Sequence, residues 1–377
     1  MVIAAVLCVI GTLTASASAA GVEVSAPSVI LVDAAGGTVL AEKNADEPRR
    51  PASVTKVMTL LLVLEAIESG QISWDDTVTA SAEAVKKGGS QIYLSEGEQM
   101  PLRDMVKSVV VASANDCACA LAEHVAGSEG AFVEKMNARA KELNMTGTHF
   151  ENCTGLDDGE AGARHLTTAA DIAIMSRELL RHDAIREYTT IWTDSVRGGE
   201  FGLSNTNKLV RFYQGTTGLK TGYTSAAGHC ISAAAERDGL ELIAVILGAP
   251  SSADRFSDAK ALLNYGFANY AAVLPTTPQE AEPVPVTLGT HEAVMPMLGR
   301  REKLLVKKEQ KASVQYSYTL LPEVSAPVEQ GQTLGTLTVT AGGETLAELP
   351  LVAAFSVPRL TWWQVTVWLF SQICGCA

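Results

Sequence analysis

The chain has 377 residues, 47% of them apolar and 19% charged. That balance supports a packed core and excludes a mostly disordered chain, which needs low hydrophobicity and high charge. With 29 basic residues against 42 acidic ones, the net charge of −13 lacks the basic footprint of a nucleic-acid binder, so no nucleic acid is expected as a partner.

Residues 2–13 are apolar and run into Ala15-Ser16-Ala17-Ser18-Ala19-Ala20. An apolar run ending in small residues predicts a secretory signal, here residues 1–20, and an exported chain beginning near Ala20 or Gly21. A basic segment before the run is missing, since no Lys or Arg precedes Lys43. Residues 28–32 and 38–41 read as two strands around the Gly36-Gly37 turn. Apolar residues at helical spacing predict a helix from Ser53 to Ile67, ended by Ser69-Gly70, and further helices over 102–126, 129–143 and 168–182. After Gly218 the pattern changes to strands over 231–235 and 240–247, and residues 252–270 close with a helix. Strands, then helices, then strands predict an α+β domain with an antiparallel sheet over residues 21–272.

Pro275, Pro278, Pro283 and Pro285 mark a linker or edge. Alternating strands with Gly at the turns then predict a small all-β domain over 273–358. Arg300, Arg301, Lys303, Lys307, Lys308 and Lys311 make it locally basic, either a solvated hairpin face or a contact for anionic lipid or wall polymer. Residues 359–377 hold three of the five Trp. The stretch is shorter than the ~20 apolar residues a span needs. Trp363, Val367, Phe370 and Cys374 recur at 3–4 spacing, which predicts an amphipathic helix lying on the membrane surface.

The seven Cys form no CxxC and the six His no HxxxH or HxH, so neither a metal site nor a cofactor is expected. Cys117 and Cys119, two apart on a helix, point to different faces and do not bridge, and the Cys read as small apolar fillers.

Three short segments carry chemistry. Ser53 and Lys56 share a helix face, so a lysine of depressed pKa could take the hydroxyl proton of a serine at the positive end of the helix dipole. Ser257 and Lys260 repeat the spacing without further support. Ser113 and Asn115 sit within the apolar stretch 109–121, as a turn or as a proton relay with a substrate-orienting amide. Lys220-Thr221-Gly222 opens the strand region; a glycine there lets a substrate backbone lie against the strand edge while Lys and Thr bind a carboxylate.

Ser-x-x-Lys, Ser-x-Asn and Lys-Thr-Gly in that order form the signature of penicillin-recognising serine acyltransferases. With Pro51-Ala52-Ser53, Asn152-Cys153-Thr154-Gly155-Leu156, Thr167-Thr168-Ala169-Ala170-Asp171, Thr206-Asn207-Lys208-Leu209 and Gly218 to Thr224, the chain resembles the low-molecular-mass penicillin-binding proteins that act as serine D-alanyl-D-alanine carboxypeptidases, over essentially its whole length. The resemblance implies a penicillin-binding-protein/β-lactamase-like transpeptidase domain, then a small β domain and an amphipathic tail. It implies Ser53 as nucleophile, Lys56 as general base and Ser113 as proton relay. Asn115, Lys220, Thr221, Gly222 and Tyr223 would bind substrate, with the N–H groups of Ser53 and Tyr223 as oxyanion hole. The implied partners are the peptidoglycan stem peptide ending in D-Ala-D-Ala, β-lactam inhibitors and the membrane surface. One departure is Thr206, where some relatives carry an Arg that helps bind the carboxylate; Arg211 and Lys208 are the nearby cations. Rival readings are a serine β-lactamase, for which the segment 151–167 offers no clear counterpart of the deacylating Glu, a D,D-endopeptidase, and a non-catalytic wall-binding scaffold.

Overall fold

The computed structural model describes residues 21–157 and 164–374. The expected signal at 1–20 lies outside the described residues. The chain divides into two compact units: residues up to Ala235 with Leu242–Gly266, and Glu236–Glu241 with the chain from Phe267 on.

The first unit is built on a five-stranded antiparallel sheet. Its strands are β1 (Ser28–Asp33), β2 (Val39–Lys43), β3 (Thr216–Thr224), β4 (Gly228–Arg237) and β5 (Leu240–Ala249), in the order β2-β1-β5-β4-β3. β1 pairs with β5 in the register Ile30↔Val245 and Val32↔Ile243. Ile30, Val32, Ile243 and Val245 belong to the large helical core. The alternate residues Leu31 and Leu242 face the other way and meet Gly266 of a C-terminal helix, where a Cβ would stand 2.4 Å from Leu242 Cδ1. Both faces are therefore covered, which is why β1 and β5 read as continuous apolar runs rather than as alternation.

The helices are α1 (Lys56–Glu68), α2 (Leu102–Val111), α3 (Asn115–Ala126), α4 (Glu129–Glu142), α5 (Ala169–Leu180) and α6 (Ser252–Asn269), with shorter ones between. α1 is apolar nearly all round and buried from Lys56 to Leu64, the pattern of a central helix. Two expectations need correction. Residues 102–126 form two helices, because Ser113 adopts a left-handed φ of 63° between them. The helix expected from Ser53 starts as a 3₁₀ turn, Ala52–Thr55, and becomes α-helical at Lys56.

Among its described residues the second unit is built of strands, with the last turn of α6, a short 3₁₀ segment and a terminal helix. A four-stranded sheet orders Pro296–Leu298, Glu344–Ala353, Thr333–Ala341 and Gln315–Leu320. A three-stranded sheet holds Ala293–Val294, Val284–Thr287 and Val324–Ser325. Each has its own small aliphatic core, around Leu337 and Leu351 and around Val286 and Val357. The terminal helix Trp362–Cys374 opens with a reciprocal cap: Thr361 N–H donates to Gln364 Oε1 (2.8 Å), and Gln364 N–H to Thr361 Oγ1 (3.3 Å). Trp362, Trp363, Val367 and Phe370 are exposed on it. No helix among the described residues is long and apolar enough to cross a membrane.

Candidate active site

In a 3₁₀ turn, side chains three apart eclipse. The turn at Ala52–Thr55 thereby stacks Ser53 over Lys56, and Lys56 Nζ lies 2.9 Å from Ser53 Oγ. Ser53 is half-buried at the N-terminal end of α1, while Lys56 is fully buried. Burial lowers the Lys56 pKa from 10.5 to about 7, against the weaker opposing pull of Cys153 and Asp116. The amine is thus poised to be neutral at physiological pH, the state a base needs. Its second contact is the Thr154 carbonyl, at 2.8 Å.

The Asn152–Leu156 segment exists to present that carbonyl. Asn152 Oδ1 accepts from the N–H groups of Thr154 and Gly155, at 3.1 and 2.6 Å, closing a side-chain turn. Thr59 of α1 donates to the Cys153 carbonyl at 2.7 Å. Gly155 has φ 83°, and a Cβ there would stand 1.8 Å from the Ala52 carbonyl oxygen, so only glycine lets the turn close on the nucleophile. Ala52 itself takes a left-handed φ of 48°. Its carbonyl accepts from Thr55 Oγ1 (2.9 Å), and Thr55 Oγ1 lies 2.8 Å from His165 Nε2. His165 Nδ1 accepts from the Glu151 N–H at 3.1 Å, so the neutral ring carries its proton on Nε2 and donates to Thr55. Burial drops the His165 pKa to about 4, which keeps the ring neutral.

Ser113 and Asn115 are buried at the α2–α3 break. The break is polar because an outside segment uses it. Asn115 Nδ2 donates to the Gly88 carbonyl (2.6 Å) and Asn115 N–H to that of Ser90 (2.7 Å). The Asp116 carboxylate accepts from Ile92 and Leu94 N–H, at 3.2 and 3.1 Å. Asn115 Oδ1 is buried with no partner, an open acceptor for a substrate N–H.

β3 is one of the two edge strands of the sheet. A Cβ at Gly222 would stand 2.7 Å from the Pro51 carbonyl oxygen and 2.9 Å from Ser53 N, so β3 lies directly against the nucleophile turn. That approach brings the Ser53 N–H beside the 222–223 peptide. From behind, Arg255 of α6 donates to the carbonyls of Gly222 (3.0 Å) and Cys230 (3.2 Å). Lys220 is fully buried, with Nζ on the Thr221 carbonyl at 3.0 Å. Burial, then repulsion by Lys56 and Arg255, pushes its pKa well below 10.5. Repulsion between two ammonium groups is mutual, so the pair does not hold two full charges at neutral pH. Burial comes first for Lys56, with Lys220 as its neighbour rather than the primary cause. Thr221 donates to Thr206 Oγ1 at 2.8 Å. Asn207 Nδ2 donates to the Gly218 carbonyl at 3.0 Å, which fixes Thr206 beside β3. Tyr223, 58% exposed, stacks on His229 with ring centroids 4.4 Å apart.

The fold thus brings Ser53, Lys56, Lys220, Thr221 and Gly222 around one turn, while Ser257 and Lys260 lie apart on α6. Sequence reasoning assigned no role to Thr154, Thr55, His165, Asp116 or Arg255. All five are buried polar contributors, and only the Asn152–Leu156 segment hinted at one of them, Thr154. The described carboxylates of 151–167 are committed elsewhere: Glu151 bonds Arg164 and His149, and Asp157 bonds Thr224 and faces Arg50 at 3.8 Å. Residues 158–163 of that segment lie outside the described residues.

Comparison with known proteins agrees over the length of both units. The family described as D-alanyl-D-alanine carboxypeptidase matches residues 13–251, and the one described as penicillin-binding protein 5, C-terminal domain, matches residues 278–359. The chain is 39% identical to the D-alanyl-D-alanine carboxypeptidase DacF of Bacillus subtilis, covering 87% of this chain and 85% of that one. It is 34% identical to DacC of Escherichia coli, over 91% and 88%. Penicillin-binding protein 5 of Haemophilus influenzae superposes with a TM-score of 0.73 at 28% identity, over 89% of this chain and 98% of that one. Penicillin-binding protein D2 of Listeria monocytogenes, in its ampicillin-bound form, superposes with a TM-score of 0.59 at 33% identity, over 65% and 98%.

Proposed function

Because the chain belongs to the D-alanyl-D-alanine carboxypeptidase family, we propose that it removes the terminal D-Ala of peptidoglycan stem pentapeptides through an acyl-enzyme on Ser53. The observation that carries the mechanism is a fully buried lysine, its pKa near 7, 2.9 Å from a half-exposed serine hydroxyl.

Neutral Lys56 accepts the Ser53 proton as Oγ attacks the penultimate D-Ala carbonyl. The oxyanion is received by the Ser53 and Tyr223 N–H groups. Ser113 passes the proton to the leaving D-Ala nitrogen. The edge of β3 pairs with the substrate backbone; Gly222, expected from the sequence to clear space for that backbone, instead lets β3 close on the nucleophile turn, and the open Oδ1 of Asn115 accepts a substrate N–H. The terminal carboxylate is bound by Thr221 and Thr206 under the positive field of Lys220. Thr206 supplies a neutral donor where some relatives have a cation. Lys56, neutral again, then takes a proton from the attacking water and returns it to Ser53 Oγ as the ester bond breaks. A β-lactam carbonyl meets the same Ser53 and is trapped as an ester.

The test is labelling with a fluorescent penicillin together with D-Ala release from a pentapeptide. Both should vanish in Ser53→Ala; labelling that persists refutes the nucleophile. Ester turnover within seconds would instead favour the β-lactamase reading.

The exposed Trp362, Trp363, Val367 and Phe370 support an exported enzyme held on the outer face of the cytoplasmic membrane by its terminal helix. Deleting residues 360–377 should leave an active enzyme in the soluble fraction; sedimentation with membranes after deletion refutes the anchor.

A further inference from the structure

One buried cluster is left unused by this chemistry. Cys119 on α3, Glu129 at the start of α4 and Cys153 on the 152–156 turn place two Sγ atoms and a carboxylate oxygen within 4.8 Å of one another. Their spacing in the chain, ten and 24 residues, matches no linear metal motif; the fold assembles them. Both cysteines are fully buried and free. The two Glu129 oxygens have different tasks: Oε1 lies 3.2 Å from Cys153 Sγ, and Oε2 takes Lys87 Nζ at 2.5 Å. In a tetrahedral zinc site, bonds of ~2.3 Å to sulfur and ~2.0–2.2 Å to oxygen set ligand atoms roughly 3.5–3.8 Å apart. Shifts of about 1 Å at most, with Glu129 Oε1 and Cys153 Sγ moving slightly apart, convert the present cluster into such a set.

We propose that Cys119, Glu129 and Cys153 form a site for a thiophilic divalent cation of the zinc class, entered past the partly exposed Glu129 and Lys87. Binding exchanges one dication for the two thiol protons, which leave to solvent, so the charge of the cluster is unchanged. Glu129 turns Oε1 to the ion and keeps Lys87 on Oε2. A solvent water completes the tetrahedron. The site is coupled to the general base through the adjoining residue: Cys153 precedes Thr154, whose carbonyl holds Lys56. Drawing Cys153 toward an ion shifts that carbonyl and slows acylation. This consequence rests on the proposed function; the binding itself does not.

The test titrates reduced, full-length protein with Co2+ under argon, read by thiolate-to-cobalt charge-transfer absorption. One equivalent should bind, and Zn2+ should bleach the band. Cys119→Ala should abolish it, Glu129→Gln should weaken binding at least tenfold, and Cys230→Ala should leave it intact. Melting curves of each variant separate loss of the site from loss of the fold. Zn2+ should slow penicillin acylation of the wild type at least fivefold and leave Cys119→Ala unaffected. No charge-transfer band at millimolar Co2+, a band that survives in Cys119→Ala, or conversion of the pair to a disulfide with no metal uptake overturns the site. Zinc uptake with unchanged acylation overturns the coupling. A chain that binds Co2+ but is never acylated fails the reading of Ser53, not that of the metal site.

Discussion

The acid limb of acylation follows from where Lys56 is buried. A pKa drop from 10.5 to about 7 makes the ammonium about 5 kcal/mol less favourable than in water. Only the neutral amine accepts the Ser53 proton, so the acylation rate tracks its population. With a midpoint near 7, about a tenth of Lys56 is neutral at pH 6 and about nine tenths at pH 8, a rise of about tenfold followed by a plateau. An ordinary lysine would give about a hundredfold rise over the same interval and no plateau before pH 9. Stopped-flow measurement of the second-order acylation constant with benzylpenicillin, from pH 5.5 to 9, separates the two. A flat profile from 6 to 8, or a slope that continues to pH 9, refutes the assignment of Lys56 as a burial-tuned base. Lys220→Gln tests the second contribution. It removes a neighbouring amine whose own pKa is depressed partly by Lys56, so the midpoint should move to higher pH while the plateau falls. A midpoint that moves down contradicts mutual repulsion between the pair.

Three further outcomes are expected. Gly155→Ala should reduce acylation at least a hundredfold and destabilise the chain by about 2–3 kcal/mol, because its Cβ would stand 1.8 Å from the Ala52 carbonyl oxygen at a left-handed φ; near-normal labelling and melting would mean that the turn is not sterically closed. His165 is neutral in the fold with a pKa near 4 and titrates at 6.5 when unfolded, so its stabilisation is full above pH 6.5 and is lost as pH falls toward 4, by about 3 kcal/mol; denaturant melts should show this slope in the wild type and a flatter one in His165→Asn. Thr206→Val deletes the 2.8 Å partner of Thr221, and at about 1 kcal/mol for a hydrogen bond the acylation constant should fall about fivefold with the pH midpoint unmoved; an unchanged constant would remove Thr206 from carboxylate binding.

Much of this site was legible in the sequence, and the reason is chemical. A nucleophile, its base and the strand that binds substrate must be particular residue types at short spacings, and Ser53–Lys56, Ser113–Asn115 and Lys220–Gly222 carry that constraint in the chain itself. The α+β class was legible for a related reason: β1 and β5, covered on both faces, leave apolar runs that a surface strand would not. The break at Ser113 was legible only as one of two readings, a turn or a proton relay, because the apolar pattern continues through it from Val109 to Leu121. What holds the backbone there is an outside partner, the 88–94 segment, whose carbonyls accept from Asn115 and whose N–H groups donate to Asp116.

The supporting residues were hidden for a deeper reason. A pKa is not a property of a residue type but of its surroundings, and Lys56 becomes a base only because the helix bearing it is apolar all round and its ammonium is left with a single carbonyl from a turn some hundred residues away. That carbonyl is correctly placed only if Asn152 folds its own turn, if Gly155 has no side chain to strike Ala52, and if a neutral His165 donates to Thr55 rather than repelling charge. Each of these is an ordinary residue in the sequence: Asn152 gathers backbone N–H groups, His165 holds a hydroxyl and Gly155 acts by what it lacks, and no residue type announces such a task on its own. Thr154→Ser, which keeps the buried hydroxyl on Asn152 Oδ1, should therefore be labelled by penicillin at close to the wild-type rate while Gly155→Ala is not: Lys56 reads the backbone oxygen of residue 154, present in every amino acid, and the turn needs the emptiness of Gly155, present in one.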